Sequence, residues 1–370
     1  MSAFRLGDVL EVQSGFAFKT EYFSLGEGIP LIRIRDLENS STVINYRGKY
    51  RDDFIVEAGD YLIGMDGSFH CYRWRGGKAL LNQRVCRLRN FKEVVDPEYI
   101  HYGIQKKLTE IEDTTSFVTV KHISAKQIQN IELPLLPIAK QRLIVDILSR
   151  AEGIVRLRRE AEEKAAEFIP ALFLDMFGDP ATNPKGWPIA PFGDLVENKD
   201  GQRKPIKSSD RDNRQGPYPY YGASGIIDTY DDYLFEGEHL LIAEDGANLL
   251  SRSTPIAFLA TGKYWVNNHA HVVAANGKAN LTFLECLLNL RDLKDSITGS
   301  AQPKLNQANL NGISILNCPF SLQEKFAGQV EQIRAIQSQQ SAATAKAQAT
   351  FDALLAQVFS NNKGSWKWNR

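Results

Sequence analysis

The feature that most constrains what this chain can fold into is that it repeats itself, in order, along its length. Residues 52–68, DDFIVEAGDYLIGMDGS, match residues 231–247, DDYLFEGEHLLIAEDGA, at an offset of 179. Both read as a polar turn, a Glu-Gly-type turn, a short apolar strand and an Asp-Gly turn. Residues 77–85, GKALLNQRV, match 262–270, GKYWVNNHA, at an offset of 185, and residues 128–177 match 310–359 at an offset of 182 with no gap. Self-similarity that keeps its order means one structural unit built twice, so two modules are expected. A length of 370 residues agrees with that number.

The last repeat block is the most regular. Over 138–177 the positions Ile144, Ile147, Ala151, Ile154, Ala161, Ala165, Phe168 and Leu172 step mostly by three and four, with Arg158 the one break in the seam. The equivalent positions are Phe326, Gln329, Ile333, Ile336, Ala343, Ala347, Thr350 and Leu354. Each half is therefore expected to end in an uninterrupted helix of about 40 residues, roughly 60 Å long, which no small module can bury. Pro137 and Pro319 sit at the helix starts, where a missing N–H goes unnoticed, and Gly178 with Pro180 stops the first helix. Two amphipathic helices of matched length bury their seams most simply against each other, as an antiparallel coiled coil. The expected organisation is a first globular module over 1–137, a long helix over 138–178, a linker and second module over 179–318, a second long helix over 319–360 and a tail over 361–370. Its class is α/β (α+β) with an internal pseudo-two-fold repeat.

Composition removes several classes of function. Lys+Arg 44 is offset by Asp+Glu 44, which argues against coating nucleic acid by bulk charge while leaving room for a local basic patch. Cys71, Cys86, Cys286 and Cys318 show no C-x-x-C pair and no paired His/Cys spacing, so reduced, buried thiols in a cytoplasm are expected. No apolar run approaches the roughly 18 to 20 residues of a membrane span, and the N-terminus lacks the apolar segment of a secretory signal. Catalytic signatures are missing too: no phosphate loop, nucleophile elbow, H-E-x-x-H helix, Asn/Asp-Pro-Pro-Tyr/Phe tetrapeptide or Gly-rich turn for S-adenosylmethionine. His269 and His271, two apart on an expected strand, share a face but have no third ligand nearby. Asp66 and Asp245 each precede a glycine in a turn, where Asp is favoured for backbone reasons. No catalytic residue, metal ligand or resident cofactor is expected.

Charge placement says more than charge sum. Between Gly67 and Lys92 there is no acidic residue, while Arg73, Arg75, Lys78, Arg84, Arg87, Arg89 and Lys92 fall there among Phe69, Tyr72 and Trp74. The corresponding stretch from Gly246 to Leu284 also lacks Asp and Glu, and carries Arg252, Lys263, Tyr264, Trp265, Asn267, Asn268, His269 and His271. A face cleared of carboxylates in both copies suits a surface that meets phosphates. Asn, Gln and Arg make bidentate contacts to adenine and guanine edges. Candidates for such contacts are Asn82, Gln83 and Arg84, Asn248, Asn267 and Asn268, and the tracts around Lys121 and around Gln302, Lys304 and Asn306. Tyr218, Tyr220 and Tyr221 can stack on DNA or serve as a well-packed loop.

At these residues the sequence resembles the specificity (S) subunits of type I restriction-modification systems. The resemblance is carried by YPYYGASGIID, HLLIAEDGANL, YWVNNHAHVV, GSAQPKLNQANLNGISI and the helix starts PLLPIAKQRLI and CPFSLQEKFA, and extends over essentially the whole chain. The first half departs most, with GMDGSFHCYRWR and NQRVCRLR. The resemblance implies a non-catalytic, cytoplasmic subunit whose two target recognition domains each read one half of a split, asymmetric sequence in double-stranded DNA. It also implies that the helices space the domains and dock two methyltransferase (modification) subunits, with restriction or motor subunits as further partners. S-adenosylmethionine, ATP and magnesium then belong to those partners. The competing readings are a chain that methylates or cuts DNA alone, and a coiled-coil adaptor whose end domains bind protein.

Overall fold

The computed structural model describes residues 3–114, 121–299 and 301–359. The expected tail over 361–370 and the tract 115–120 lie outside the described residues. The chain divides into two compact units, residues 1–157 with 344–370 and residues 158–343. The division falls within both long helices, because each module packs against the part of each helix nearest to it. Each compact unit thus joins one module with the adjoining stretches of both long helices.

In the first unit β1 (Ala3–Arg5) pairs antiparallel with β11 (Glu132–Pro134), tying the start of the module to its end. The central sheet is antiparallel with the order β2 (Glu11–Ser14), β10 (Val85–Arg89), β7 (Tyr61–Gly64) and β8 (Cys71–Arg73). A strand covered on both faces is apolar at every position, and YLIG is such a strand. Its alternate side chains part: Tyr61 and Ile63 join the larger core, Leu62 the smaller one. Beside it lies a sheet of β3 (Phe23–Ser24), β5 (Asn45–Tyr46), β4 (Ile29–Ile32), β9 (Ala79–Leu81) and β6 (Ile55–Val56), in which β4 and β9 run parallel. Helix α1 (Pro97–Thr114) is capped by Asp96, whose Oδ1 accepts from the backbone N–H of Glu98 and Tyr99.

The second unit repeats this plan. Strand β12 (Ile189–Pro191) pairs with β21 (Ser314–Leu316), and the central sheet has the order β13 (Val196–Asn198), β20 (Ala270–Ala275), β17 (His239–Ala243), β18 (Ala257–Ala260). Leu240 and Ile242 face one core, Leu241 the other. The accompanying sheet is β15 (Gly225–Tyr230), β14 (Tyr218–Gly222), β19 (Lys263–Val266), β16 (Phe235–Glu236), with β14 and β19 parallel. Helix α4 (Leu281–Leu290) is capped by Asn280, the counterpart of Asp96.

Two corrections to the expected helices follow. The first long helix is interrupted: α2 (Ile138–Ala166) gives way to α3 (Phe168–Phe177) at Glu167. Pro170 has no N–H to give the carbonyl of Ala166, and its ring crowds that oxygen. The second, α5 (Phe320–Phe359), is continuous. The seam also lies on a neighbouring face. Gln141, Ile144, Leu148, Val155, Ala165, Phe173 and Phe177 are buried, whereas Ile154 is 52% exposed, Phe168 58% and Ile336 56%. Steps of three and four fit either of two adjacent faces, and only packing chooses between them.

Inside each unit the helix pairs run in opposite directions. In the first, Tyr102 touches Glu152 of α2 and Phe351 while Tyr99 touches Pro134, four residues ahead of α2, and Phe359, so the numbers fall along α2 toward its start as α5 numbers rise. In the second, Phe326 meets Phe173 and Phe177, and Gln337 donates to the carbonyl of Ala165.

Candidate nucleic-acid interface

Three chain segments meet at the same place in each module. In the first they are the Asp66-Gly67 turn after β7, the Asn82–Arg84 turn between β9 and β10, and residues 121–123. Met65 N donates to Arg84 O (2.8 Å), Gly67 N to Lys121 O (3.0 Å) and Ile123 N to Met65 O (2.9 Å). In the second, Glu244 N donates to His269 O (2.9 Å), Gly246 N to Pro303 O (3.1 Å) and Leu305 N to Glu244 O (2.8 Å). The three repeat offsets of the sequence superpose these bonds one on one. Gly67 and Gly246 have φ of 81° and 109°, a left-handed turn that glycine adopts without strain.

On this frame Asp66 holds two exposed side chains and Asp245 one. Asp66 pairs with Arg84 Nη1 (3.2 Å) and with His122 Nδ1 (2.6 Å); Asp245 pairs with His269 Nδ1 (2.8 Å). Arg84 and His269 are repeat equivalents, as are His122 and Lys304, which pairs with Glu244 (3.2 Å). The two aspartates, read from sequence as turn formers, are thus also the anchors of the cluster. Asn82 and Asn267 are buried beneath their turns, and Asn267 Oδ1 accepts from His269 N (2.8 Å). Gln83 and Asn268 are exposed beside them. Lys121 lies near Glu112 (3.8 Å) and Gln302 is exposed on the loop before Lys304.

The other candidates lie elsewhere in the fold. Tyr220 is 1% exposed, with its hydroxyl accepting from Ile206 N and Arg211 over its ring, so of the two open roles it takes the packing one. Tyr221 is half-buried against Phe258 and Tyr264. Arg252 turns inward, its guanidinium donating to the carbonyls of Leu288 and Arg291 at the end of α4. Asn248 closes its own turn on Ser253 and Thr254, and Asn306 caps the short helix Gln307–Asn311. Lys263 lies over Tyr233, and Lys78 pairs with Glu57. Arg73 and Arg75 line a cavity of about 420 Å³ with Glu98, His101, Tyr102 and Glu152, where Arg73 pairs with Glu98 (3.7 Å). Two features escaped the sequence reading. Exposed Arg35 follows β4, which runs beside β9 and its Asn82 turn. Exposed Ile226 and Ile227 flank the β14–β15 hairpin tip near Asn267. The signal for Arg35 was the apolar and basic alternation of LIRIRDL, and for the isoleucines the two adjacent apolar residues after a glycine turn in GASGIID.

His269 and His271 do not share a strand face, because His269 belongs to the turn and β20 starts at Ala270. His271 is buried, with Nδ1 on Asp200 (2.6 Å) and Nε2 on the carbonyl of Leu305 (2.7 Å). Asp200, Glu244 and His271 bring ligand atoms within 4.8 Å of one another, a group of three that contains one of the two histidines and two carboxylates no sequence spacing links to it. Arg203, however, pairs with Glu244 (2.7 Å) and Asp200 (3.4 Å), and Lys304 with Glu244, so both carboxylates already face fixed cations. This donor set is a closed ion network and does not fit a metal. Burial raises both carboxyls, but His271 and Arg203 outweigh it at Asp200, and Arg203, His271 and Lys304 at Glu244, leaving both below the usual range. The equivalent first-module residues are Ser14, Met65 and Cys86. Cys86 is a buried free thiol, pushed up to about 12 by burial.

Fold and cluster together define a class: a duplicated two-module chain that presents matched polar turns, each with different exposed basic side chains. The family described as type I restriction modification DNA specificity domain matches residues 1–166 and 184–341. The type I restriction enzyme EcoBI specificity subunit of Escherichia coli is 37% identical over 144 residues, 39% of this chain and 30% of that one. A putative type I restriction enzyme specificity subunit of Haemophilus influenzae, S.HindORF215P, is 37% identical over 152 residues, 41% and 38% of the two chains. The chain thus spans about a third of the length of these relatives. A solved S subunit of a type I restriction-modification system from M. genitalium shares the fold at a TM-score of 0.62 and 15% identity, over 97% of this chain and 96% of that one. The chain belongs to the type I restriction modification DNA specificity family, with two copies of its domain. Among the described residues no helix is long and apolar enough to cross a membrane.

Proposed function

We propose that this chain is the DNA sequence-recognition subunit of a type I restriction-modification complex, itself non-catalytic, each module reading one part of a bipartite, asymmetric target. The observation that carries this reading is the one frame built twice with different exposed groups, Arg84 and His122 in one module, His269 and Lys304 in the other. Identical readers would read the same half twice; unlike readers on one frame suit an asymmetric site. Docking of two methyltransferase subunits is supported by a second apolar stripe on α2, where Leu143, Ile154 and Leu157 are exposed and Ile147 half-buried at helical spacing. S-adenosylmethionine, ATP and magnesium would be held by those subunits and by the restriction or motor subunits.

Exchanging residues 187–317 for the corresponding module of a relative tests the reading. The methylated motif of cells carrying the system should change in one half only; a change in both halves or in neither overturns it. An adaptor that binds only protein would show no DNA affinity, whereas a DNA reader loses affinity steeply as salt rises.

A further inference from the structure

We propose that Arg84 is a specificity-determining residue of the first module, held by Asp66 so that the pair reads one G·C base pair. This rests on the DNA-recognition reading above.

Arg84 sits at φ 72°, left-handed backbone that a non-glycine residue rarely adopts. Glycine would suit the turn better, so the arginine is not there for the backbone. Two residues earlier, the buried Asn82 Oδ1 has no hydrogen-bond partner among the described residues. A strained residue and an unpaired buried acceptor in one three-residue turn are what a binding site tolerates and stability alone does not favour.

The chemistry of the pair selects the ligand. Arg84 Nη1 is tied to Asp66 at 3.2 Å on an exposed side chain, a pairing that uses neither Nε nor Nη2. That fork matches O6 and N7 of guanine. A carboxylate this close cancels much of the attraction for a phosphate but leaves the donor geometry intact. The carboxylate can in turn accept from N4 of the paired cytosine. Asp66 is also held by His122 at Oδ1 (2.6 Å), so it acts as a positioning residue for the guanidinium. The equivalent pair in the second module, Asp245 with His269, has no such fork and would not make this contact.

The test uses the full-length chain in cells that carry the whole system, with the methylated motif read across the genome, and thermal unfolding of the purified full chain. Arg84→Gly relieves the backbone, so its melting temperature should match or exceed that of the parent. The first-module half of the motif should lose its requirement for G·C at one position, discrimination falling about 10-fold or more, with the other half unchanged. Arg84→Lys keeps the charge without the fork and should relax the same position. Asp66→Asn should weaken the same discrimination and no other. The proposal is overturned if the parent's first-module half contains no G·C pair, or if Arg84→Gly leaves the motif unchanged. It is also overturned if Arg84→Lys preserves full discrimination while Arg84→Gly lowers methylation of all sites alike, the mark of a phosphate contact. Failure of the underlying reading looks different: deleting the whole chain would then leave methylation sequence-specific and unaltered.

Discussion

Gln141, at the start of α2, is fully buried and its amide ties three backbone groups together. Oε1 accepts from Asp96 N (2.9 Å), and Nε2 donates to the carbonyls of Val94 (2.9 Å) and Leu136 (2.8 Å). The bonds pin the residues leading into α1 to the residues leading into α2, so one side chain joins module to helix. Gln141→Leu keeps most of the volume and removes all three. Val94 is exposed and its carbonyl can turn to water, whereas Asp96 N and Leu136 O lie in half-buried residues. Each buried backbone group left unpaired costs about 1–3 kcal/mol, so two give a loss of roughly 2–6 kcal/mol before the leucine's own burial offsets part of it. A net loss of about 2–4 kcal/mol is expected in the first unit. Gln323 is the repeat equivalent with one bond fewer, accepting from Asn280 N (2.9 Å) and donating to the carbonyl of Cys318 (2.8 Å). Asn280 is half-buried and Cys318 buried, so Gln323→Leu likewise leaves two buried groups unpaired and should cost the second unit a similar amount, about 2–4 kcal/mol. Urea titration gives the size as a shift of midpoint at constant slope, and amide exchange of residues 94–100 and 278–284 assigns each loss to its unit. Two variants within about 0.5 kcal/mol of the parent, or a loss in only one of the two units, would refute the reasoning.

Arg252→Ala should lower the stability of the second unit by about 1–2 kcal/mol in urea titration, since two carbonyls at the end of α4 lose a guanidinium, while leaving the methylated motif as it is. Replacing Ile154 and Leu157 together with Gln should leave thermal stability within about 0.5 kcal/mol of the parent, because both are exposed, yet weaken co-purification with modification subunits. Acid should destabilise the chain in two stages. Burial holds His101 and His239 below their ordinary value, so the unfolded chain takes up protons first and stability is lost as pH falls below about 6.5. Asp200 and Glu244 titrate lower in the folded chain than when unfolded, so their contribution is present above about pH 4 and is lost below it. Glu285, raised by burial, opposes this in part. Urea midpoints that stay level or rise between pH 7 and 3 would contradict both stages.

The duplication, the two long helices, the buried thiols and the turns that carry Asn82 to Arg84 and Asn267 to His269 were legible in the sequence. Each is a local pattern, or the same pattern met twice, and local patterns survive without knowledge of what packs where. The repeat offsets even align the three hydrogen bonds that assemble each cluster, because insertions between the blocks fall in loops. What the sequence could not decide is which way a side chain faces once strands and helices meet. Arg252 looks like a DNA contact in an acid-poor stretch and Asn306 in the tract around Lys304, yet one reaches inward to a helix end and the other caps a helix turn. The seam of α2 fits two adjacent faces equally well by period, and the break at Glu167 was hidden by apolar residues that continue through Pro170. Asp66 and Asp245 read as turn formers because their partners, His122 at 56 residues and His269 at 24 residues away, become neighbours only through the sheet. Long-range pairing of this kind is set by tertiary packing, since no local spacing rule links a turn to the segment that closes over it.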